Sequence, residues 1–236
     1  MKENPILLHI ETATEVCSVA LSRGDTLLDV CEGRDGNSHS KNLLPYIDHV
    51  LKEAGLTPRD LDAVSVSVGP GSYTGLRIGV STAKSFAYTL EIPVLTVNTL
   101  ESIAQGATQH LPSDVDDFQI VPMIDARRME VFAARYDRQL QLLDEVAPVI
   151  VDEDAYRDLL ATQTVVFCGN GMPKCKEILA CSSNARFADF ELSARYLLPS
   201  ALRKWQQQDF ADVAYFEPFY LKEYVPAKPN VKGLHA

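Results

Sequence analysis

Two rhythms of apolar and polar positions divide the first half of this chain. Ile6, Leu7, Leu8, His9 and Ile10 form a short, mostly apolar run, residues 17–21 alternate, and a further run follows Gly24-Asp25 over residues 26–31. Short runs bounded by turn formers predict a strand, a polar loop at 11–15 and a hairpin. The rhythm then lengthens. After the polar Ser38-His39-Ser40, Leu43, Leu44, Ile47, Val50 and Leu51 recur at helical spacing, which predicts a helix over 40–54. Gly55 closes it, and Pro45 falls early enough to be tolerated. Alternation returns at 63–68, a strand with one buried face that runs into Gly69-Pro70-Gly71-Ser72-Tyr73-Thr74-Gly75. Leu76, Val80, Ala83, Phe86, Ala87 and Leu90 then predict a helix over 75–90, and Pro93 stops it before a strand at 94–97.

The order so far is a three-stranded meander followed by alternating helices and strands. This is the order of the ribonuclease-H-like half of an actin-type ATPase, an α/β fold, although pattern alone leaves other α/β orders open. The second half is less regular. Residues 118–124 and 130–136 read as strands, 152–160 as a helix, and 164–168 as a strand that ends at Gly169-Asn170-Gly171. A helix carrying Lys174 and Lys176 follows, then another over 193–208, and a Pro- and Lys-rich terminus after Val225 is expected to be mobile. Two lobes are predicted, 1–106 and 107–236, with the last helix packing back on the first lobe. No spacing establishes an internal repeat.

Composition narrows the function classes. With 236 residues and 46% hydrophobic content the chain can bury a substantial core. No stretch approaches the roughly 18 to 20 apolar residues of a membrane helix, and the first residues read as a strand rather than a leader, so a cytoplasmic protein without membrane contact is expected. A net charge of −10 would repel a phosphate backbone over most of the surface, so any nucleic-acid contact is expected to run through a partner. The cysteines at 17, 31, 168, 175 and 181 form no CxxC pair and are odd in number, which suggests neither a zinc site nor a disulfide framework. His9, His39, His49, His110 and His235 make no HExxH or HxxxH pair, and isolated histidines are ordinarily surface or core residues.

Three local features could carry chemistry. The loop 69–75 leaves free N–H groups at a helix start, which suits an anion, a partner or simply a tight turn. It is not a Walker A loop, because no Gly-Lys-Ser/Thr follows. Within the next helix Gly75, Gly79, Ala83 and Ala87 recur every four residues, a bare stripe that lets another helix approach either inside the lobe or across a subunit boundary. Glu11, Thr12 and Thr14 lie in the first loop, where an actin-type fold holds phosphates and magnesium with an aspartate, and Gly169, Asn170 and Gly171 could form the opposing phosphate loop or a plain turn. The charged run Asp125, Arg127, Arg128 and Glu130 is expected to form local ion pairs.

The run Ser67-Val68-Gly69-Pro70-Gly71-Ser72-Tyr73-Thr74-Gly75-Leu76-Arg77-Ile78-Gly79 resembles the signature of the TsaB (YeaZ) family. In order along the chain, so do Glu11-Thr12-Ala13-Thr14 with Ser18-Val19-Ala20-Leu21, His39-Ser40 with Leu43-Leu44-Pro45, Asp125-Ala126-Arg127-Arg128 with Glu130-Val131-Phe132, Gly169-Asn170-Gly171, and Glu217-Pro218-Phe219-Tyr220-Leu221. The resemblance covers nearly the whole length and is strongest before residue 132.

It implies a two-lobed actin- and Hsp70-like fold and membership of a complex with the catalytic paralogue TsaD and the small ATPase TsaE. That complex transfers a threonylcarbamoyl group from threonylcarbamoyl-AMP to the adenosine beside the tRNA anticodon. In the paralogue, the segment similar to residues 97–103 carries two metal-binding histidines; here Thr99 and Ile103 stand at those positions. Neither side chain replaces an imidazole ligand, so no metal site and no catalytic residue is assigned. The expected role is a non-catalytic scaffold. The resemblance puts the first lobe's helices at the contact with the paralogue or a second copy, and assigns Gly75, Gly79, Ala83, Ala87, Leu43 and Ile47 to that contact. Gly69, Gly71 and Ser72, with the residues of the two loops above, are candidates for nucleotide or phosphate contact. No cofactor is obligatory, while ATP or ADP at or near the partner interface stays open. The rival readings are a metallopeptidase, which needs a metal site, and an autonomous phosphotransferase on the same fold.

Overall fold

The computed structural model describes residues 2–34, 39–111 and 117–221; Ser38, His235 and the terminus after Val225 lie outside them. The first lobe opens with β1 (Ile6–Glu11), β2 (Cys17–Arg23) and β3 (Thr26–Gly33), continues through α1 (His39–Glu53), β4 (Ala63–Ser67) and α2 (Tyr73–Leu90), and ends at β5 (Val94–Val97). Helix α3 (Thr99–Ala107) leads into β6 (Gln119–Asp125), β7 (Glu130–Tyr136), β8 (Leu142–Ile150), α4 (Arg157–Thr162), β9 (Val165–Cys168), α5 (Met172–Leu179) and β10 (Ala185–Ala188). A short 3-10 turn and α6 (Leu198–Gln207) follow.

The two sheets repeat one plan. The first runs β3-β2-β1-β4-β5 and the second, read from its opposite edge, β8-β7-β6-β9-β10. In each, an antiparallel meander is extended by two parallel strands. Parallel pairs need crossover helices, which the lengthened apolar spacing supplies.

The lobes exchange one helix each. Leu100, Ile103, Ala104 and Ala107 of α3 pack on the second sheet with Ile120, Val166 and Cys168. Ala201 and Trp205 of α6 close a cluster with Leu7, Ala63 and Leu95 on the face of the first sheet opposite α1 and α2. A cut after residue 106 therefore assigns α3 to the wrong lobe: its apolar side faces β6 and β9 although it precedes them in sequence.

Three elements differ from the sequence expectation. The helix expected over 152–160 starts only at Arg157, because the Asp152 carboxylate accepts from the N–H groups of Asp154 and Ala155 and makes a turn there. Strand β8 was not expected: it is a largely exposed edge strand, so its apolar residues follow no period, and it accommodates Pro148. Strand β10 is four residues long and carries too little pattern to be read.

Candidate functional site

The strand-to-helix turns after β4 and β9 are counterparts, and their glycines show why. Gly69 and Gly169 both adopt positive φ, 119° and 88°. A Cβ on Gly71 would lie 2.5 Å from Ala13 O, and one on Gly171 would lie 2.9 Å from Ile124 C. Each bare backbone lets the turn press on the loop that ends the neighbouring central strand.

In the first lobe that pressing engages most polar groups of the loop. Ser72 N donates 2.7 Å to Ala13 O, Gly69 N donates 3.1 Å to Thr99 Oγ1, and Gly75 N donates 3.2 Å to Ser72 Oγ, the N-cap of α2. Thr12 Oγ1 donates 2.8 Å to Gly75 O. Glu11 is fully buried; its Oε1 accepts from Ala13 N at 2.6 Å and Ser67 Oγ at 2.8 Å, and its Oε2 meets no hydrogen-bond partner among the described residues. Burial raises its pKa to about 7 against those hydrogen bonds. The expectation that Glu11, Thr12, Gly69, Gly71 and Ser72 form a phosphate loop is thus corrected: these residues join loop to loop inside the lobe.

The same correction applies to the small-residue stripe. Gly75, Gly79, Ala83 and Ala87 are buried, and a Cβ on Gly79 would lie 2.3 Å from Thr12 Oγ1 and 3.5 Å from Ile10. The element that approaches the stripe is this chain's own β1 and its loop. Leu43 and Ile47 of α1 are likewise buried in the first-lobe core. Five of the six residues assigned to a partner contact are turned into the lobe, while Leu43, itself buried, lines the floor of an outward groove between α1 and α2.

Thr14, Gly169 and Asn170 are the expected loop residues that do meet. They line a cavity of about 320 Å³ between the lobes. Gly171 lies just behind it, its N–H donating 3.0 Å to Met123 O. Around the cavity stand Glu15, Asp125, Asp189 and Glu191, against the guanidinium of Arg34. Arg34 bridges the lobes, 2.8 Å from Glu191 and 3.3 Å from Glu15, and Arg195 repeats the bridge to Glu32 at 3.0 Å. Asp125 is paired with Lys174, which also donates to Glu130 O. Burial would raise Asp125, but the Lys174 hydrogen bond and charge and the Arg127 N–H hold its carboxyl below the usual range. A bare phosphate chain placed here would meet carboxylates, and Arg34, the lining guanidinium among the described residues, is already paired. The bridging residues Arg34, Glu191 and Arg195 were missed because they pair only once the lobes are assembled.

Thr99 and Ile103 are built into the scaffold. The Thr99 hydroxyl accepts the Gly69 N–H, Thr99 N donates 2.9 Å to Gly69 O, and Ile103 packs in the second-lobe core, its Cγ2 3.2 Å from where a Gly169 Cβ would stand. Among the described residues no group of three His, Cys, Asp or Glu side chains is placed to hold a metal ion, and no helix is long and apolar enough to cross a membrane.

What remains outward on α1 and α2 is a shallow groove lined by Leu43, Leu44, Tyr73, Arg77, Ile78 and Thr82. Leu44 is 58% exposed, and Tyr88, near the far end of α2, is 85% exposed.

The sequence model of the family described as "TsaD: tRNA N6-adenosine threonylcarbamoyltransferase" matches residues 35–204. An Escherichia coli (strain K12) protein named tRNA threonylcarbamoyladenosine biosynthesis protein TsaB is 30% identical over 233 residues, covering 94% of this chain and 96% of that one. A Bacillus subtilis (strain 168) protein of the same name is 36% identical over 142 residues, 60% of this chain and 59% of the other. Among solved structures, YeaZ from Pseudomonas aeruginosa superposes with a TM-score of 0.79 at 27% identity, over 92% of this chain and 100% of that one. The activator of the 2-hydroxyisocaproyl-CoA dehydratase from Clostridium difficile, with bound ADPNP, shares the fold alone: its TM-score is 0.51 at 10% identity, over 88% and 98% of the two chains. The architecture is the two-lobed α/β fold of the actin- and Hsp70-like ATPases.

Proposed function

The chain belongs to the TsaB (YeaZ) family of tRNA threonylcarbamoyladenosine biosynthesis proteins, and from that premise we propose that it is a non-catalytic subunit of the modifying complex. It binds a TsaD-like catalytic paralogue, supports recruitment of a TsaE-like ATPase, and meets tRNA only through that assembly, in the cytoplasm. The observation that carries this reading is the fate of Thr99 and Ile103. Where the resemblance puts ligand histidines in the catalytic paralogue, one side chain clasps the Gly69 turn and the other fills a core. A fold can persist when its reactive groups are reassigned to structure.

The docking surface in this reading is the outward groove of α1 and α2, with Leu44 and Ile78 as its apolar centre, in place of the buried stripe. A homodimer would use the same surface in the absence of the paralogue. ATP or ADP, if held, lies at that interface rather than in the acidic cavity between the lobes.

The test is association of the purified chain with a purified TsaD-like paralogue, by size-exclusion chromatography and calorimetry. Leu44→Asp is expected to weaken the complex at least about tenfold, since a buried unpaired charge costs more than 1.4 kcal/mol. Failure of the wild-type chain to associate overturns the reading.

A further inference from the structure

Residues 209–221 return over the first lobe as a strap. Ala211 N donates 2.9 Å to Val94 O at the open edge of β5, and Val213 and Phe216 pack on the first-lobe core. Lys84 Nζ of α2 lies 4.5 Å from the Phe216 ring centre. Phe219 N then donates 2.6 Å to Val68 O, directly before the β4–α2 turn. This seat depends on a missing side chain, because a Cβ on Gly69 would stand 2.5 Å from Phe219 O.

At the end of the strap the Tyr220 ring lies 4.8 Å from that of Tyr73, and its hydroxyl accepts from Arg77 Nε at 3.3 Å. The Arg77 guanidinium sits 4.2 Å from the centre of the Tyr73 ring. Tyr73 and Arg77 also line the outward groove, so the strap fixes two of the groove's own residues.

Resting on the docking surface read above, we propose that the strap is part of that surface, and that Tyr220 acts by holding Arg77 in one orientation beside Leu44 and Ile78. Helix α2 contains Arg77 and Lys84 and no acidic residue, in a chain of net charge −10. The face of α2 is therefore cationic and apolar, with Glu217 of the strap as the acidic group that acts on Arg77, and it fits a partner helix that brings an apolar stripe with a carboxylate opposite Arg77. Tyrosine and arginine are the residue types that concentrate binding energy. Ordering a long side chain before association removes part of the entropy loss that binding otherwise incurs.

The experiment measures affinity of the full chain for the purified TsaD-like paralogue, with Leu44→Asp marking the groove. Tyr220→Ala is expected to lower affinity about tenfold, combining a lost aromatic pair with a freed arginine, at unchanged unfolding midpoint of the core. Tyr220→Phe, which keeps the ring and loses the hydroxyl, falls between it and wild type. Arg77→Glu weakens binding more than Tyr220→Ala, and a matching acid-to-lysine change on the paralogue restores part of the loss. If Leu44→Asp abolishes binding while Tyr220→Ala binds as wild type, the strap is overturned and the docking surface stands. If the wild-type chain does not bind, both fall.

Discussion

Thr12 Oγ1 donates a 2.8 Å hydrogen bond to the carbonyl oxygen of Gly75, joining the β1–β2 loop to the first turn of α2. The contact needs a glycine, since a Cβ on residue 75 would stand 2.1 Å from Thr12 O. Alanine favours helix over glycine by about 1 kcal/mol, but overpacking costs about 1 to 3 kcal/mol and here meets backbone rather than a flexible side chain. Gly75→Ala is expected to lower the thermal midpoint by several degrees, and Gly79→Leu to prevent folding of the first lobe. A stripe facing outward would instead let both replacements raise the midpoint through their higher helix propensity; calorimetry of the two variants separates the cases.

Glu11 gives the stability a pH signature. Its folded pKa, near 7, lies above the ordinary carboxylate value of 4.5, so the folded state holds the proton more tightly. That contribution is complete below pH 4.5 and is lost as pH rises through 7, a span of roughly 3 kcal/mol. Denaturant titrations of the wild type and Glu11→Gln from pH 5 to pH 8 are expected to show the variant gaining steadily on the wild type. Parallel curves would mean that the carboxyl is not desolvated.

His9 acts in the opposite direction. The ring is buried in the first sheet between Ser65 Oγ, 2.7 Å from Nδ1, and Ser22 Oγ, 2.8 Å from Nε2, and burial lowers its pKa from 6.5 to about 3. An imidazole kept neutral contributes stability above pH 6.5 that is lost as pH falls toward 3. His9→Asn is expected to flatten the acid limb of the stability profile while lowering the plateau. NMR titration of the ring carbons gives the direct check: a midpoint near 6.5 would contradict the assignment.

Thr99→Val tests whether residue 99 serves structure. Removing the hydroxyl leaves the buried Gly69 N–H without its acceptor at an expected cost of about 1 to 3 kcal/mol. Amide exchange at Gly69 should accelerate well beyond that at Val66. An unchanged rate at Gly69 would remove the structural role assigned to the threonine.

Much of the first lobe was legible because its signals are local: alternation in β4, helical spacing in α1 and α2, and proline after α2. The small-residue stripe was legible as a place of close approach, but not as a side. Gly79 faces Thr12 only because β1 lies beside β4, a pairing of residues 56 positions apart in sequence. The candidate site failed for the same reason. Glu11 and Ser72 look like parts of a phosphate- and magnesium-holding loop until the tertiary structure pairs Glu11 Oε1 with Ser67 and Ala13, and Ser72 Oγ with Gly75. The repeated plan of the two sheets left no repeat in the sequence, because what it conserves is backbone geometry, seen in the positive φ of Gly69 and Gly169.

The most direct test of a non-catalytic partner is reconstitution. Purified chain is mixed with threonine, bicarbonate, ATP, tRNA and the enzyme that forms threonylcarbamoyl-AMP, with and without a TsaD-like paralogue and a TsaE-like ATPase, and threonylcarbamoyladenosine is quantified by mass spectrometry of digested tRNA. The account predicts modification only when the paralogue is present, and less of it when Leu44→Asp replaces the wild-type chain. Modified adenosine formed by this chain without the paralogue would contradict it.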